Sequence, residues 1–88
     1  MAETERVWLV ERTYGSDEDL VILEYATTDG TRHLRNQFSH RMLYDREITA
    51  ARDVDPDRLE DVTDPETRER YAEEASRMAA EFDPEDTV

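Results

Sequence analysis

The sequence predicts an α+β domain: an antiparallel β-meander of three to four strands with a C-terminal amphipathic α-helix packed on one face. Three observations predict it. Residues 6–14 and 20–27 are runs rich in β-branched, aromatic and aliphatic side chains. Asp29-Gly30 follows the second run and is a strong hairpin signal. Tyr71, Ala75, Met78, Ala79 and Phe82 then recur at the spacing of one helical stripe.

The first strand, Arg6 to Tyr14, ends at the polar turn Gly15-Ser16-Asp17-Glu18-Asp19. The second stops at Asp29-Gly30, whose expected type I′ turn requires positive φ at both central residues. A third strand starts at Thr31 and runs through Phe38. Leu34, Phe38 and Met42 also fit a helical spacing, but the Asp-Gly turn favours a strand at the start of this segment. Residues 39–62 are patterned more weakly. Ile48-Thr49-Ala50-Ala51 reads as a fourth strand, and Asp55 to Leu59 as a single helical turn. Thr63-Asp64-Pro65-Glu66 opens the final helix with an N-cap, a first-turn proline and an acid at the positive end of the dipole. The helix should stop near Phe82, before Pro84. Residues 1–82 thus form a single domain and 83–88 a short, frayed acidic tail.

A two-residue loop at Asp29-Gly30 fixes the register. It pairs Thr28 with Thr31, Ala26 with His33, Glu24 with Arg35, and Ile22 with Gln37; Tyr25 faces Leu34 and Val21 faces Phe38. If residues 15–19 close a second hairpin, Tyr14 opposes Leu20 and Leu9 opposes Tyr25. Because side chains alternate along a strand, one sheet face collects Val7, Leu9, Val21, Leu23, Tyr25, Leu34 and Phe38. The other collects Trp8, Val10, Tyr14, Leu20 and Ile22 among Arg12, Glu24, His33, Arg35 and Gln37.

That second face is the candidate interface. Val7-Trp8-Leu9-Val10 and Leu20-Val21-Ile22-Leu23 are continuous apolar runs, the pattern of strands buried on both sides. One helix covers one face. Unless residues 39–62 fold over the other, Trp8, Val10, Tyr14 and Ile22 form an apolar centre rimmed by Arg12, Arg35 and Gln37. The expected partner is a second copy of the chain or another protein.

The composition is extreme. All eleven basic residues are arginines, set against 24 acids, for a formal charge of −13. Self-repulsion on this scale destabilises a compact state in dilute buffer, and at ~1 M salt the screening length falls to roughly 3 Å and relieves it. In composition, over its whole length and without a diagnostic motif, the chain resembles the small uncharacterised acidic cytosolic proteins of salt-in haloarchaea. The resemblance implies a cytoplasmic protein adapted to high salt. The seven aromatic residues and the dense aliphatic runs argue against an acidic disordered chain. No apolar stretch approaches the ~20 residues of a membrane helix, and the acidic N-terminus lacks the apolar region of a signal peptide.

Residues 31–44 hold Arg32, His33, Arg35, His40 and Arg41 with no acid, and Leu34, Phe38, Met42 and Tyr44 interleave with them. This is the composition of a phosphate- or RNA-contacting patch, and Arg32, His33, Arg35, Phe38 and Arg41 are its candidate contacts. An acid-free window of this length also arises readily by chance at this composition, and high salt weakens counterion release. The nucleic-acid reading therefore ranks second to assembly. His33 and His40 could share a metal only on a helix, with Asp45 as a third ligand, and the absence of cysteine removes thiolate sites. Gly15 and Gly30 are isolated turn glycines and form no phosphate-cradling loop. Ser16, Ser39 and Ser76 lack the context of a nucleophile elbow. The sequence predicts no enzyme, no cofactor and no metal.

Overall fold

A computed structural model of the chain describes residues 3–14, 20–39 and 47–88. Strands β1 (Glu5–Tyr14), β2 (Leu20–Ala26), β3 (Arg32–Ser39), β4 (Ala51–Val54) and β5 (Glu60–Asp61) form one antiparallel sheet in the order β4-β1-β2-β3-β5. Helix α1 (Pro65–Glu81) follows, after a 3₁₀ turn at Pro56–Arg58 between β4 and β5. The α+β meander with its C-terminal helix is the predicted fold. The third run is a strand through Ser39, not the start of a helix.

The fourth strand falls at Ala51–Val54, three residues beyond the predicted segment, and β5 was not predicted. These two strands lie at opposite edges, joined by residues 55–59 alone. Four strand spacings amount to about 19 Å in a flat sheet. A linker containing a 3₁₀ turn reaches only about 16 Å, at roughly 2 Å per residue in the turn and 3.4 Å elsewhere. The sheet therefore curls, bringing its edges together around one face.

The β2–β3 register is as predicted, with Ala26 opposite His33, Glu24 opposite Arg35, Ile22 opposite Gln37 and Val21 opposite Phe38. The turn that sets it differs in type. Gly30 donates to the Thr27 carbonyl (2.9 Å), and among the described residues Gly30 alone takes a positive φ, of 73°. The Asp29 carboxylate accepts from the Thr27 hydroxyl (2.6 Å) and from the Thr31 amide (3.0 Å) and hydroxyl (2.7 Å), which holds Asp29 out of the left-handed region. These bonds keep its carboxyl below the usual carboxylate range, the Thr27 hydroxyl contributing most.

The β1–β2 register holds only at its start. Trp8 opposes Ala26 and Leu9 opposes Tyr25, but a bulge between Leu9 and Glu11 places Glu11 opposite Glu24 and Tyr14 opposite Val21. One extra residue sends every later side chain to the other face. Arg12 and Tyr14 thus leave the Trp8 face and join the side of Leu23 and Val21.

Helix α1 packs on the Trp8 face. Tyr71 contacts Ala26 and Val62, while Ala75 and Met78 belong to the same core as Trp8. Its start is capped by Asp64, which accepts from the Thr67 amide (3.1 Å), with Pro65 in the first turn. The 27–31 turn presses directly on the helix. A Cβ at Gly30 would collide with the Arg68 carbonyl oxygen and lie 2.8 Å from the Ala72 nitrogen. The opposite, concave face buries Val7, Val21, Leu23, Tyr25 and Leu34, with Ile48 packed against it.

The C-terminal residues do not fray. Ala51 and Ala50 donate to the carbonyls of Pro84 (3.1 Å) and Asp86 (2.8 Å), and Val88 donates to Ile48 (2.9 Å). Arg12 donates to the Val88 carbonyl oxygen (3.0 Å). The backbone groups on the outer side of residues 48–51 need partners, and the returning tail supplies them.

Candidate functional site

The two ends of the sheet are built differently. At one end all five strands and α1 meet. Beyond it, β4 pairs with β1 only from Glu5 to Trp8, and β5 pairs with β3 only at Arg32 and His33. Among the described residues, the last four residues of β1, the start of β2 and the end of β3 continue as a three-stranded extension. Glu11, Arg12, Thr13 and Tyr14 are all exposed, Tyr14 at 62%, and Leu20 and Ile22 are half-buried.

The predicted interface residues do not form one patch. Trp8 is 7% exposed and lies in the core with Ala75 and Met78, so the helix occupies the space expected for a partner. Val10 sits at the bulge, half-buried against both core clusters. Ile22, Arg35 and Gln37 remain on the Trp8 side but farther along the sheet, whereas Arg12 and Tyr14 face the other way.

The candidate nucleic-acid contacts are divided as well. Alternation along β3 puts Arg32 and Phe38 on one face and His33 and Arg35 on the other. Arg32 bonds Glu5 (2.7 Å), and Arg35 lies 3.9 Å from Glu24. Both guanidinium groups already face carboxylates of the same chain. Arg41, His40 and Asp45 lie outside the described residues.

Backbone geometry marks the outer side of β3 more clearly than its side chains do. Thr27 donates to the Arg32 carbonyl (3.1 Å), so the backbone groups of Arg32, Leu34, Asn36 and Phe38 point at β2. Val62 donates to the Thr31 carbonyl (2.8 Å), so those of Thr31, His33, Arg35 and Gln37 point outward. β5 meets His33. Past it, the amides and carbonyls of Arg35 and Gln37 point at no strand among the described residues.

A family match covers residues 1–88, and its description is a family of unknown function, DUF7967. The chain belongs to that family. No curated protein and no solved structure matches it. The DUF7967 description assigns no chemistry, so the surface geometry has to carry the functional reading.

A second feature of this DUF7967 chain has no signature in the sequence. The Tyr71 hydroxyl donates to Glu24, 47 residues away. Burial, then that bond and the Glu24 charge, push Tyr71 up to about 12. The His33 ring lies 6.1 Å from the Tyr71 ring, its Nε2 is 4.0 Å from Glu60, and its buried Nδ1 has no partner among the described residues. On the concave side an open cavity of about 160 Å³ lies among Leu23, Tyr25, Phe38 and Ile48, and Arg52 stacks 5.5 Å from the Tyr25 ring. Its volume is below the ~300 Å³ at which small-molecule sites begin. Among the described residues no three metal-ligating side chains converge, and no helix is long and apolar enough to cross a membrane.

Proposed function

We propose that the domain is a non-catalytic assembly module that pairs with a second copy of itself through the three-stranded end of its sheet. The observation that supports this reading is the uneven covering of the sheet. Among the described residues, the strands that β4 and β5 flank at one end extend past both at the other, exposing Tyr14 and leaving Leu20 and Ile22 half-buried. A domain of this size buries only around 60% of its chain's surface, so a subunit contact adds a large share of its stabilisation. The charge of −13 is read as adaptation to a salt-rich cytosol. Two such copies repel strongly in dilute buffer and approach freely where the charges are screened.

Sedimentation at ~2 M KCl, where the screening length is below about 3 Å, tests the proposal. The expected result is a concentration-dependent dimer that weakens as salt is removed. A monomer at every concentration would overturn it. Recovery of RNA or DNA with the protein at that salt, lost in Arg35→Glu, would favour instead the ribonucleoprotein reading that rests on the acid-free segment 31–44.

A further inference from the structure

We infer that the second copy docks along the flank of α1 that overlooks the exposed end of β1, its own α1 antiparallel to the first about a two-fold axis beside Ala75 and Ser76. This inference rests on the assembly reading and names the elements that meet. Arg70, Glu74, Arg77 and Glu81 recur at i, i+4, i+7 and i+11 and form one stripe, next to the buried stripe of Tyr71, Ala75 and Met78. Their signs alternate along the helix. Both arginines are held in place. The Arg70 guanidinium lies 5.4 Å from the Tyr71 ring, and Arg77 bonds Glu74 and, at 2.9 Å, Glu81.

The stripe is its own complement. Antiparallel about that axis, Arg70 falls opposite Glu81 of the second copy and Glu74 opposite Arg77, and each pair recurs across the axis. Parallel helices would set Glu74 against Glu74 and Arg77 against Arg77. The outward face of α1 offers no such match, because its exposed Glu66, Glu69 and Glu73 are all acids, and Arg68 is bonded to the Val62 carbonyl. The stripe also borders apolar surface. Glu74 and Arg77 line an open groove of about 360 Å³ that includes the half-buried Val10 and Phe82 and takes in Glu11 and Arg12 at the exposed end of β1. Exposed ion pairs add little affinity. Burial of the groove therefore stabilises the contact, while the charges set its register and reject other arrangements. Side chains make the contact, so the α1 amides keep their intrahelical bonds.

Charge swaps test the seam at ~1 M KCl, where a screening length of roughly 3 Å removes repulsion between distant charges and leaves part of the attraction between groups in contact. Arg70→Glu with Arg77→Glu makes the stripe wholly acidic, and Glu74→Arg with Glu81→Arg makes it wholly basic. Sedimentation of each alone should show self-association weakened at least ~10-fold, with helix content by circular dichroism retained. Mixed in equal amounts, the two should recover a heterodimer of parental affinity. Both variants remain net negative, so attraction between net charges does not explain that recovery. If either double variant loses helix, Arg77→Glu and Glu74→Arg alone carry the same test. If the unmodified chain dimerises and the folded variants each dimerise as tightly, the α1 seam is wrong and the assembly reading survives. Self-association lost in both, with no recovery on mixing, contradicts the antiparallel register equally. A monomeric parent sinks both readings.

Discussion

Replacing Trp8 with alanine separates a core tryptophan from a surface one. An aromatic side chain buries 150–250 Å², and Trp8 is 7% exposed. At about 25 cal/mol per Å², hiding nearly all of that area is worth roughly 3.5–6 kcal/mol, in line with the ~3–5 kcal/mol cost of large-to-small aromatic truncations. The neighbours limit relaxation, because Ala26, Ala51 and Ala75 are too short to fill the space. An 88-residue domain has a total stability of about 4–13 kcal/mol, so Trp8→Ala removes about a quarter of it or more. At roughly 4–8 °C per kcal/mol for a domain of this size, the midpoint should fall by about 15–45 °C. Trp8 is the only tryptophan, so unfolding has to be followed by far-ultraviolet circular dichroism, in high salt. A Trp8→Ala protein that loses less than about 1 kcal/mol would refute the burial of Trp8 beneath α1. Trp8→Glu should then fail to fold rather than yield a soluble monomer.

Other substitutions probe the remaining contacts. Gly30→Ala combines a left-handed φ, costing about 1–2 kcal/mol, with a Cβ driven into the Arg68 carbonyl; urea denaturation should show a loss above that backbone cost, and a smaller loss would mean that the turn stands clear of the helix. Tyr71 titrates near 12 in the fold against 10.0 when unperturbed, so its contribution is complete below pH 10 and lost as pH rises from 10 to about 12. Alkaline unfolding of Tyr71→Phe should lack that component, and lysine does not titrate in this window because the chain has none; identical alkaline profiles would contradict the burial of the Tyr71 hydroxyl beside Glu24. Asp29 is held below its usual pKa by Thr27 and Thr31, so its contribution is present above about pH 4 and lost as pH falls through the lowered value. Asp29→Ala should flatten the acid limb of stability at high salt, and an unchanged limb would argue against the turn geometry.

The legible parts of the fold were those set by local chemistry. Asp29-Gly30 fixed the β2–β3 register through Phe38, even though Asp29 uses its side chain to avoid the expected φ. Asp64-Pro65 located the helix start, and Phe82 its end, because caps are short-range. The bulge at Val10 was not legible. Val7 to Val10 are apolar on both faces, so no alternation marks where an extra residue enters. That one residue moved Arg12 and Tyr14 off the predicted surface. Which face α1 covers was equally hidden, since Val7 to Val10 and Leu20 to Leu23 put apolar side chains on both faces. The docking of the tail depends on backbone groups of residues 48–51 that carry no sequence signature. The outward direction of Arg35 and Gln37 likewise emerges only when the partners of Thr31 and Arg32 are known.

Amide hydrogen exchange, measured as a function of protein concentration at ~2 M KCl where repulsion is screened, tests the assembly most directly. The exposed end of β1, Glu11 to Tyr14, should exchange more slowly as dimer forms, while the amides in the middle of α1 keep their rates. Dimerisation that leaves the end of β1 exchanging at its monomer rates would contradict assembly through that end of the sheet.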